Sequence, residues 1–447
     1  GERPEDGLQA TKYWKGLYGG RMKRMRLTNC EFRNTGTWFV ETDLCYLAYN
    51  SVNAPHWISG GRSVGLGRQS KNSVLEQNVT VGPRGFCGGG TYYHCYISAN
   101  RAEKTLTSDG EAYLLEGSGM RWYGRPQWLD DRSLATPGRN WHINNLRFSG
   151  VDSSTRPRWL EDRARDLTDC VVAITAGPGA GQYRRIAAAQ GERITLVEPW
   201  GVRPGPESEA IVMHGSTENI LVNNMALDCN GTSGGLFVSG AMRTIIDGVA
   251  GNNAAGPYVW SRVTPADAQN KDVKFIVVPD YFNQIIHGRW WNKGNIYLSD
   301  GVRGRFDTSA LTAYPQIGTL VIGNQVHGPR HYGWGASSFT PADPVSTKED
   351  SAERGMLPAV VVDGHILHAI VEENTVTDAH VGVGIGPNAR GTIIRRNTFS
   401  EMKYYMVKDL GQASLIGAAT TRTDFHSYWG QGLNINLLPG TGTAGSK

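Results

Sequence analysis

Seven segments of the chain share one pattern: a short β-rich run leads to an asparagine, and apolar residues alternating with polar ones follow. Asparagine tolerates the left-handed backbone conformation and can bond its own backbone, which suits it to tight turns. The asparagines are Asn29, Asn78, Asn145, Asn224, Asn324, Asn374 and Asn397. The last two lie 23 residues apart (397 − 374), the length expected of one coil with short strands. Such a repeat is typical of a solenoid, in which each coil contacts only its neighbours.

The repeat predicts an all-β chain wound into a right-handed parallel β-helix, with neighbouring coils stacked about 4.8 Å apart. The composition agrees, because 57 glycines and a hydrophobic content of 39% favour short strands and tight turns over packed helices. We also expect the asparagine side chains of successive coils to bond one another.

This pattern resembles that of the right-handed β-helix proteins, a broad group that includes pectin- and alginate-degrading lyases, many glycoside hydrolases and phage tailspikes. The resemblance covers most of the chain. It implies the fold and leaves the activity open, because one fold carries many functions.

The repeat divides the chain into parts. We predict N-terminal coils over 1–155, continuing coils over 216–410 and a C-terminal cap and tail over 411–447. Residues 156–215 lack the asparagine turn and read as strands with Gly/Pro turns, which predicts an inserted small β-barrel or sandwich similar to those of carbohydrate-active β-helix proteins. A long surface loop is expected at 336–358.

Charge and apolar patterning bear on partners and location. With 45 basic and 41 acidic residues the net charge is +4, too small a field to imply a nucleic-acid partner. No run of about 18 apolar residues exists, so no membrane span is predicted. The six cysteines follow no metal-ligand spacing, and we expect mostly buried thiols, with a Cys87–Cys95 disulfide as the alternative. A glycan-active protein of this group would be secreted or periplasmic.

Aromatic residues suggest a sugar ligand, since 13 Trp and 18 Tyr offer ring faces on which the C–H faces of sugars stack. Trp290 and Trp291 are neighbours on a predicted strand and face opposite sides, so at least one ring should be exposed. We predict a sugar platform there, with coverage of a coil end as the alternative. A nearby loop adds further candidate substrate-binding residues: His327, Arg330, His331, Tyr332 and Trp334.

The 23-residue period also aligns two carboxylates. Asp378 and Glu401 each follow the asparagine of their coil by four residues (378 − 374 and 401 − 397), so they occupy the same place in successive coils. Their backbones should lie about 5 Å apart. A retaining glycosidase needs two carboxyl groups about 5–5.5 Å apart, and crowding of like charges would raise the pKa of one of them. The alternative is that both are solvated turn residues.

Other acidic residues are held in reserve as catalytic candidates. Asp109 and Glu111 share a side if their segment is extended, and Asp228 lies on a middle coil. No metal site and no cofactor are predicted, except that Ca²⁺ is possible in a lyase; no Asp-rich Ca²⁺ loop is visible.

These features predict a glycoside hydrolase acting on a polysaccharide or oligosaccharide. A second hypothesis is a lyase that cleaves a uronate-containing glycan, with the loop 327–331 supplying base and cation. A third is a glycan-binding β-helix without catalysis, similar to a tailspike or adhesin. The products distinguish them: a lyase creates an ultraviolet-absorbing double bond, a hydrolase only new reducing ends, and a binder neither.

Overall fold

The computed structural model of the chain describes residues 17–20, 22–54, 64–67, 69–82, 85–86, 91–105, 111–117, 119–137, 167, 169–229, 235–266, 272–302, 306–329, 358–417 and 420–421. These ranges contain strands and no helices. The described residues therefore include no helix that could span a membrane.

Parallel sheets form the sides of the solenoid. Sheet 1 has eleven strands: Arg26–Thr28, Tyr46–Ala48, Val74–Glu76, Tyr96–Ser98, Ile220–Val222, Ile245–Asp247, Gln284–Ile286, Leu320–Ile322, Ile370–Glu372, Ile393–Arg395 and Leu415–Ile416. Sheet 3 has seven: Ser70–Lys71, Tyr92–Tyr93, Ser216–Thr217, Ala241–Met242, Asp280–Tyr281, Gln316–Ile317 and Ile366–Leu367. The first coils add a three-stranded sheet of Leu17–Gly20, Thr37–Val40 and Val64–Leu66.

Sheet 2 has sixteen strands in two rows. Row A contains Glu31–Arg33, Ser51–Asn53, Val79–Val81, Arg101–Glu103, Met225–Leu227, Ala250–Asn252, Arg289–Trp291, Gln325–His327, Thr375–Ile385, Thr398–Asp409 and Thr420–Thr421. Row B contains Tyr113–Glu116, Leu236–Ser239, Pro257–Trp260, Ile296–Ser299 and Pro358–Asp363. The long strand Thr375–Ile385 joins the rows, because its start pairs with Gln325–His327 and its end with Pro358–Asp363.

Residues at one position of the coil stack on their equivalents in the next coil. In sheet 1, for example, Leu47 pairs with Leu75 and Leu75 with Ile97. The inward column of this sheet continues with Leu221, Ile246, Ile285, Val321, Val371, Ile394 and Ile416. All of these side chains lie in one continuous buried core. The predicted fold is confirmed: the chain is an all-β parallel β-helix.

Buried asparagines form a ladder between sheet 1 and row A. Both amide hydrogens of Asn78 are used, one donated to Oδ1 of Asn100 at 2.9 Å and one to the carbonyl of Leu47 at 3.0 Å. Its own Oδ1 accepts from the backbone N–H and the amide of Asn50, at 3.0 and 2.9 Å. The amide of Asn100 in turn donates to Asn224 at 3.0 Å. The side-chain bonding predicted from the repeat is therefore present.

The ladder has a gap and a second section. Val249 and Gly288 occupy its position in the two coils after Asn224, as the register of the flanking strands shows. It resumes at Asn324, whose amide donates to Asn374, and Asn374 donates to Asn397, both at 2.9 Å.

Two asparagines of the predicted repeat differ from this ladder. Asn29 has a positive φ of 56° and precedes the ladder position, which Cys30 holds with its N–H 3.0 Å from Oδ1 of Asn50. The predicted repeat therefore identified the turn residue Asn29, whereas the ladder position is the next residue, Cys30. Asn145 lies outside the described residues.

A seven-stranded antiparallel sheet interrupts the coils. Its strands are Gly119–Gly124, Gln127–Trp128, Ser133–Ala135, Val171–Ala176, Tyr183–Gln190, Arg193–Leu196 and Glu209–His214. The predicted start at 156 is wrong, because three of these strands precede it. After the last of these strands, Ser216–Thr217 belongs to sheet 3.

The inserted sheet has a core of its own and a second face packed on the solenoid. Trp122, Val172 and Ile194 belong to the separate core. On the other face, Met213 and Tyr183 share an apolar cluster with side chains of sheet 3. The insertion is therefore fixed against one side of the β-helix. A small antiparallel hairpin, Arg262–Pro265 with Phe275–Val278, follows row B on a later coil.

The other predicted boundaries are corrected as follows. The coils continue past 411, since Leu415–Ile416 and Thr420–Thr421 pair with the preceding coil. The predicted loop at 336–358 lies outside the described residues except for Pro358, which begins a strand of row B. Cys95 is a buried free thiol, and Cys87 lies outside the described ranges.

A buried polar cluster lies where the insertion returns to the solenoid. The ring of His214 is 4% exposed, and its Nε2 is 2.8 Å from Nη2 of Arg121 and 3.2 Å from Nε2 of Gln69. Sγ of Cys170 lies 3.5 Å from the ring. Burial, and then the charge of Arg121, lowers the pKa of His214 to about 3. The ring is therefore neutral at pH 7 and can accept hydrogen bonds from both donors.

Replacing Asn78 with Ala should lower the stability of the solenoid by about 3 kcal/mol, because two donors of Asn50 and the carbonyl of Leu47 lose their partner in the core. The midpoint of urea unfolding, followed by circular dichroism, measures the loss. Asn53→Ala is the control, since Asn53 is an exposed asparagine of row A. Equal midpoints for the two variants would show that the ladder contributes little.

Acidification should weaken the folded state through His214. The folded pKa of about 3 lies below the unfolded value of about 6.5, so the stabilisation is complete above pH 6.5 and is lost as the pH falls toward 3. Between pH 7 and pH 5 the free energy of unfolding of His214→Gln should fall less steeply than that of the wild type, by at most about 1.4 kcal/mol per pH unit. Urea unfolding at each pH measures the two slopes. His368→Gln, at an exposed histidine, should keep the wild-type slope. An unchanged slope in His214→Gln would contradict the assignment.

Candidate functional site

The outward side of row A carries five of the seven predicted site residues that the structure describes. In each three-residue strand the middle side chain points into the core, and the first and third point outward, as in Gln325–His327 with its buried Val326. The residue after the strand makes a turn. We call the polar face the outward and turn side chains of six coils: Asp228, Asn252, Asn253, Arg289, Trp291, Asn292, Gln325, His327, Gly328, Thr375, Thr377, Asp378, Thr398, Ser400 and Glu401.

The turn residues of these coils form one column. They have positive φ angles, including 51° at Asp378, 57° at Glu401 and 57° at Gly328. Their backbone N–H groups bond the next coil, for example that of Gly328 to the carbonyl of Thr377 at 3.1 Å. The backbone therefore makes the connection between coils at these positions. The side chains of the column other than Gly328 are exposed.

Asp378 and Glu401 occupy equivalent places in neighbouring coils, as the period predicted. Thr377 pairs with Ser400 and Ala379 with Met402, on either side of the two acids. Both side chains are exposed. A Cβ at Gly328 would lie 3.4 Å from Oδ2 of Asp378, in van der Waals contact, so the turn of one coil lies directly beside the carboxylate of the next. The backbone spacing of paired strands is about 4.8 Å, close to the separation that a retaining carboxylate pair requires.

The third strand positions form a second column beside the turn column. Trp291 pairs with Asn252 on one side and His327 on the other, and His327 pairs with Thr377. Nδ1 of His327 lies 2.6 Å from Oγ1 of Thr377. This contact fixes the orientation of the imidazole and leaves its Nε2 directed away from Thr377.

Amide groups complete the face on the earlier coils. Nδ2 of Asn292 donates to Oδ1 of Asn252 at 2.8 Å, and Nδ2 of Asn253 donates to Oδ1 of Asp228 at 3.1 Å. Asp228 thus lies in the turn column but four coils before Asp378, bound by a neighbouring amide. It is too distant to form a carboxylate pair with Asp378 or Glu401.

Trp290 is not part of this face, and its prediction as a sugar platform is wrong. Its side chain is 1% exposed and fills the core beside Gly251, whose added Cβ would lie 2.4 Å from the indole. Its Nε1 has no hydrogen-bond partner among the residues that the structure describes. Trp291, on the opposite side of the strand, is half-buried and points outward.

The remaining predicted residues lie elsewhere or outside the described ranges. Glu111 is buried just before Tyr113–Glu116 of row B, so it does not reach the polar face. The following predicted residues lie outside the described ranges: Asp109, Arg330, His331, Tyr332 and Trp334.

Nine polar residues of the face were missed by the sequence reasoning, and four of them show why: Asn252, Arg289, Asn292 and Thr377. A simple rule would have found Thr377, because it follows a ladder asparagine by three residues, as His327 does. The rule fails for the other three, since Val249 and Gly288 replace the ladder asparagine in their coils.

Within the described ranges no three His, Cys, Asp or Glu side chains converge as a metal site. The polar face instead offers carboxylates, one imidazole, amides, hydroxyls and one indole. Such a set can form hydrogen bonds and ring stacking with a sugar and can transfer protons.

No family model and no curated protein matches the chain. Among solved structures it is similar to the tailspike of E. coli bacteriophage HK620, at 10% identity and a TM-score of 0.38, over 93% of this chain and 55% of that one. A tailspike of Acinetobacter baumannii bacteriophage AP22, solved with capsular saccharide, gives 10% and 0.25, over 84% and 60%. The chain thus spans little more than half of these two tailspikes.

A third similar structure is PfbA, a surface protein and adhesin of Streptococcus pneumoniae, at 8% identity and a TM-score of 0.21, over 93% of this chain and 92% of that one. What these structures share with the chain is the fold. The parallel β-helix itself rests on the strand pairings described above.

The two neighbouring tryptophans should respond oppositely to truncation. Trp290→Ala leaves a large cavity in the core and should cost about 4 kcal/mol, whereas Trp291→Ala should cost less than about 1 kcal/mol. Urea-unfolding midpoints of the two purified variants give the comparison. A larger loss for Trp291→Ala would reverse the assignment of inside and outside.

Proposed function

We propose that this protein binds a polysaccharide or oligosaccharide along the polar face and hydrolyses it with Asp378 and Glu401. The observation that carries the proposal is the register of these two exposed carboxylates in neighbouring coils, beside a column with an outward indole and imidazole. The polar face repeats outward polar residues on six successive coils, and such a surface suits an extended ligand better than a compact one.

The chemistry follows from the spacing. At about 5 Å one carboxylate attacks the anomeric carbon directly, while the other carboxyl protonates the departing glycosidic oxygen. A glycosyl–enzyme ester forms and the glycosidic bond breaks. The second group, now a carboxylate, then takes a proton from water, whose oxygen attacks the anomeric carbon and releases the ester. Both carboxyl groups return to their initial states.

Neighbouring side chains would hold the sugar ring during this reaction. His327, oriented by Thr377, lies in the coil before Asp378 and can bond a sugar hydroxyl through Nε2. The indole of Trp291, one coil further away, can carry the apolar face of a second ring. These contacts would restrict the substrate to an orientation along the solenoid axis.

A lyase is the second candidate, favoured by the outward imidazole. In that case His327 would take the proton α to a uronate carboxylate, and the product would contain a new double bond. Ca²⁺ would be the cofactor to test, by adding it and by chelation, since a divalent cation can neutralise the uronate. A protein that binds glycan without cleaving it fits the same face equally well, and neither product would then appear.

The proposed activity implies a location where extended glycans occur. We place it outside the cytoplasm, as a secreted or periplasmic protein acting on a glycan surface or its fragments.

Removing either carboxylate should abolish cleavage. Asp378→Asn and Glu401→Gln should each lower the rate of reducing-end release from a polysaccharide panel at least 100-fold, because one provides the nucleophile and the other the proton. Glycan binding should persist in both variants. The ultraviolet absorbance of an unsaturated product would be read in the same samples and should stay flat.

Glu198→Gln is the matched control, because it neutralises an exposed carboxylate of the inserted domain and should retain wild-type rates. Full activity in Asp378→Asn and Glu401→Gln would exclude this pair. Loss of an ultraviolet-absorbing product in His327→Gln alone would favour the lyase.

A further inference from the structure

The strand Arg289–Trp291 presents an unusual pair on the polar face. Arg289 is exposed and Trp291 half-buried, and both point outward on either side of the buried Trp290. Alternate residues of a strand are about 7 Å apart. A guanidinium and an indole therefore lie side by side on one coil.

Other strands of row A handle their arginines differently. Arg33 pairs with Glu31 of its own strand at 2.7 Å, and Arg101 pairs with Glu103 of its own strand. In both strands the arginine and the glutamate are the two outward residues. Trp291 is the third residue of its strand, the position that Glu103 holds in the strand of Arg101. Arg289 therefore has an aromatic ring, and not a carboxylate, as its outward neighbour on the strand.

Arg289 has no anionic partner within the part of the chain that the structure describes. Its register neighbours in the adjacent coils are Ala250 and Gln325, neither of which is charged. Across the preceding turn the carboxylate of Asp247 pairs with His287 at 2.9 Å. The guanidinium is thus available for an anion from outside the chain.

We propose that Arg289 and Trp291 form a subsite for an anionic sugar, such as a uronic acid or a sulfated residue. The indole carries the apolar face of the ring, and the guanidinium binds the carboxylate or sulfate with two parallel hydrogen bonds. The proposal rests on the proposed glycan binding along the polar face. It adds the requirement that the substrate carry a negative charge, which the pair Asp378 and Glu401 does not impose.

The position of the subsite sets the orientation of the substrate. Trp291 lies two coils from Asp378, a distance of about 10 Å along the axis. An anionic residue bound there would lie about two sugar units from the cleaved bond. The negative charge of the sugar would therefore select and align the glycan without approaching the two catalytic carboxylates.

The test is binding of the full chain to an array of oligouronates, sulfated oligosaccharides and neutral oligosaccharides of similar length. Arg289→Gln should weaken binding to the anionic glycans at least ten-fold and leave neutral glycans unchanged. Trp291→Ala should weaken both. Raising the salt concentration should weaken the wild-type protein and not Arg289→Gln, because only the former forms the ion pair.

Arg203→Gln, which removes an exposed arginine of the inserted domain, is the control and should bind like the wild type. The array also separates uronate from sulfate as the anion. Equal binding of anionic glycans by the wild type and Arg289→Gln overturns the subsite, as does binding of neutral glycans alone. Anionic binding without cleavage keeps the subsite and removes only the hydrolase proposal.

Discussion

Hydrogen bonds between coils determine this structure. Backbone N–H and carbonyl groups pair from coil to coil, and the buried amides of Asn78, Asn100 and Asn374 repeat the same connection in the interior. Each residue is consequently neighboured by its equivalents one coil away, whatever separates them in sequence. A functional site in such a molecule is a column of equivalent positions, and row A provides two such columns side by side.

The asparagine period explains both the success and the failure of the sequence reasoning. Asn374 and Asn397 are both ladder residues, so counting four residues from each placed Asp378 and Glu401 correctly in register. Gly288 replaces the ladder residue in the coil of Trp290, so nothing in the sequence indicated which of two adjacent tryptophans faced inward. Packing in the core distinguishes the two, because the absence of a side chain at Gly251 leaves room there for the indole of Trp290.

The start of the inserted domain could not be found in this way. Its strand Gly119–Gly124 pairs with Glu209–His214, about 90 residues later in the chain, and such long-range antiparallel pairs carry no local sequence period. At its other end the coil pattern resumes at once with Ser216–Thr217. The burial of His214 among Arg121, Cys170 and Gln69 likewise joins residues that only the folded chain brings together.

In the turn column of row A, backbone groups connect the coils while the identity of the side chain varies. Aspartate, asparagine, glycine and glutamate all occur at its positions, although a positive φ disfavours side chains with a Cβ by about 1 kcal/mol. The backbone N–H groups of Asp228, Asn253, Asn292 and Gly328 make the bond to the next coil, so this connection does not depend on the identity of the side chain. Selection can therefore exchange these side chains one coil at a time while the interior stays constant. If the proposed ligand binding holds, a change of ligand preference would need only exchanges within this column, with little loss of stability in the rest of the fold.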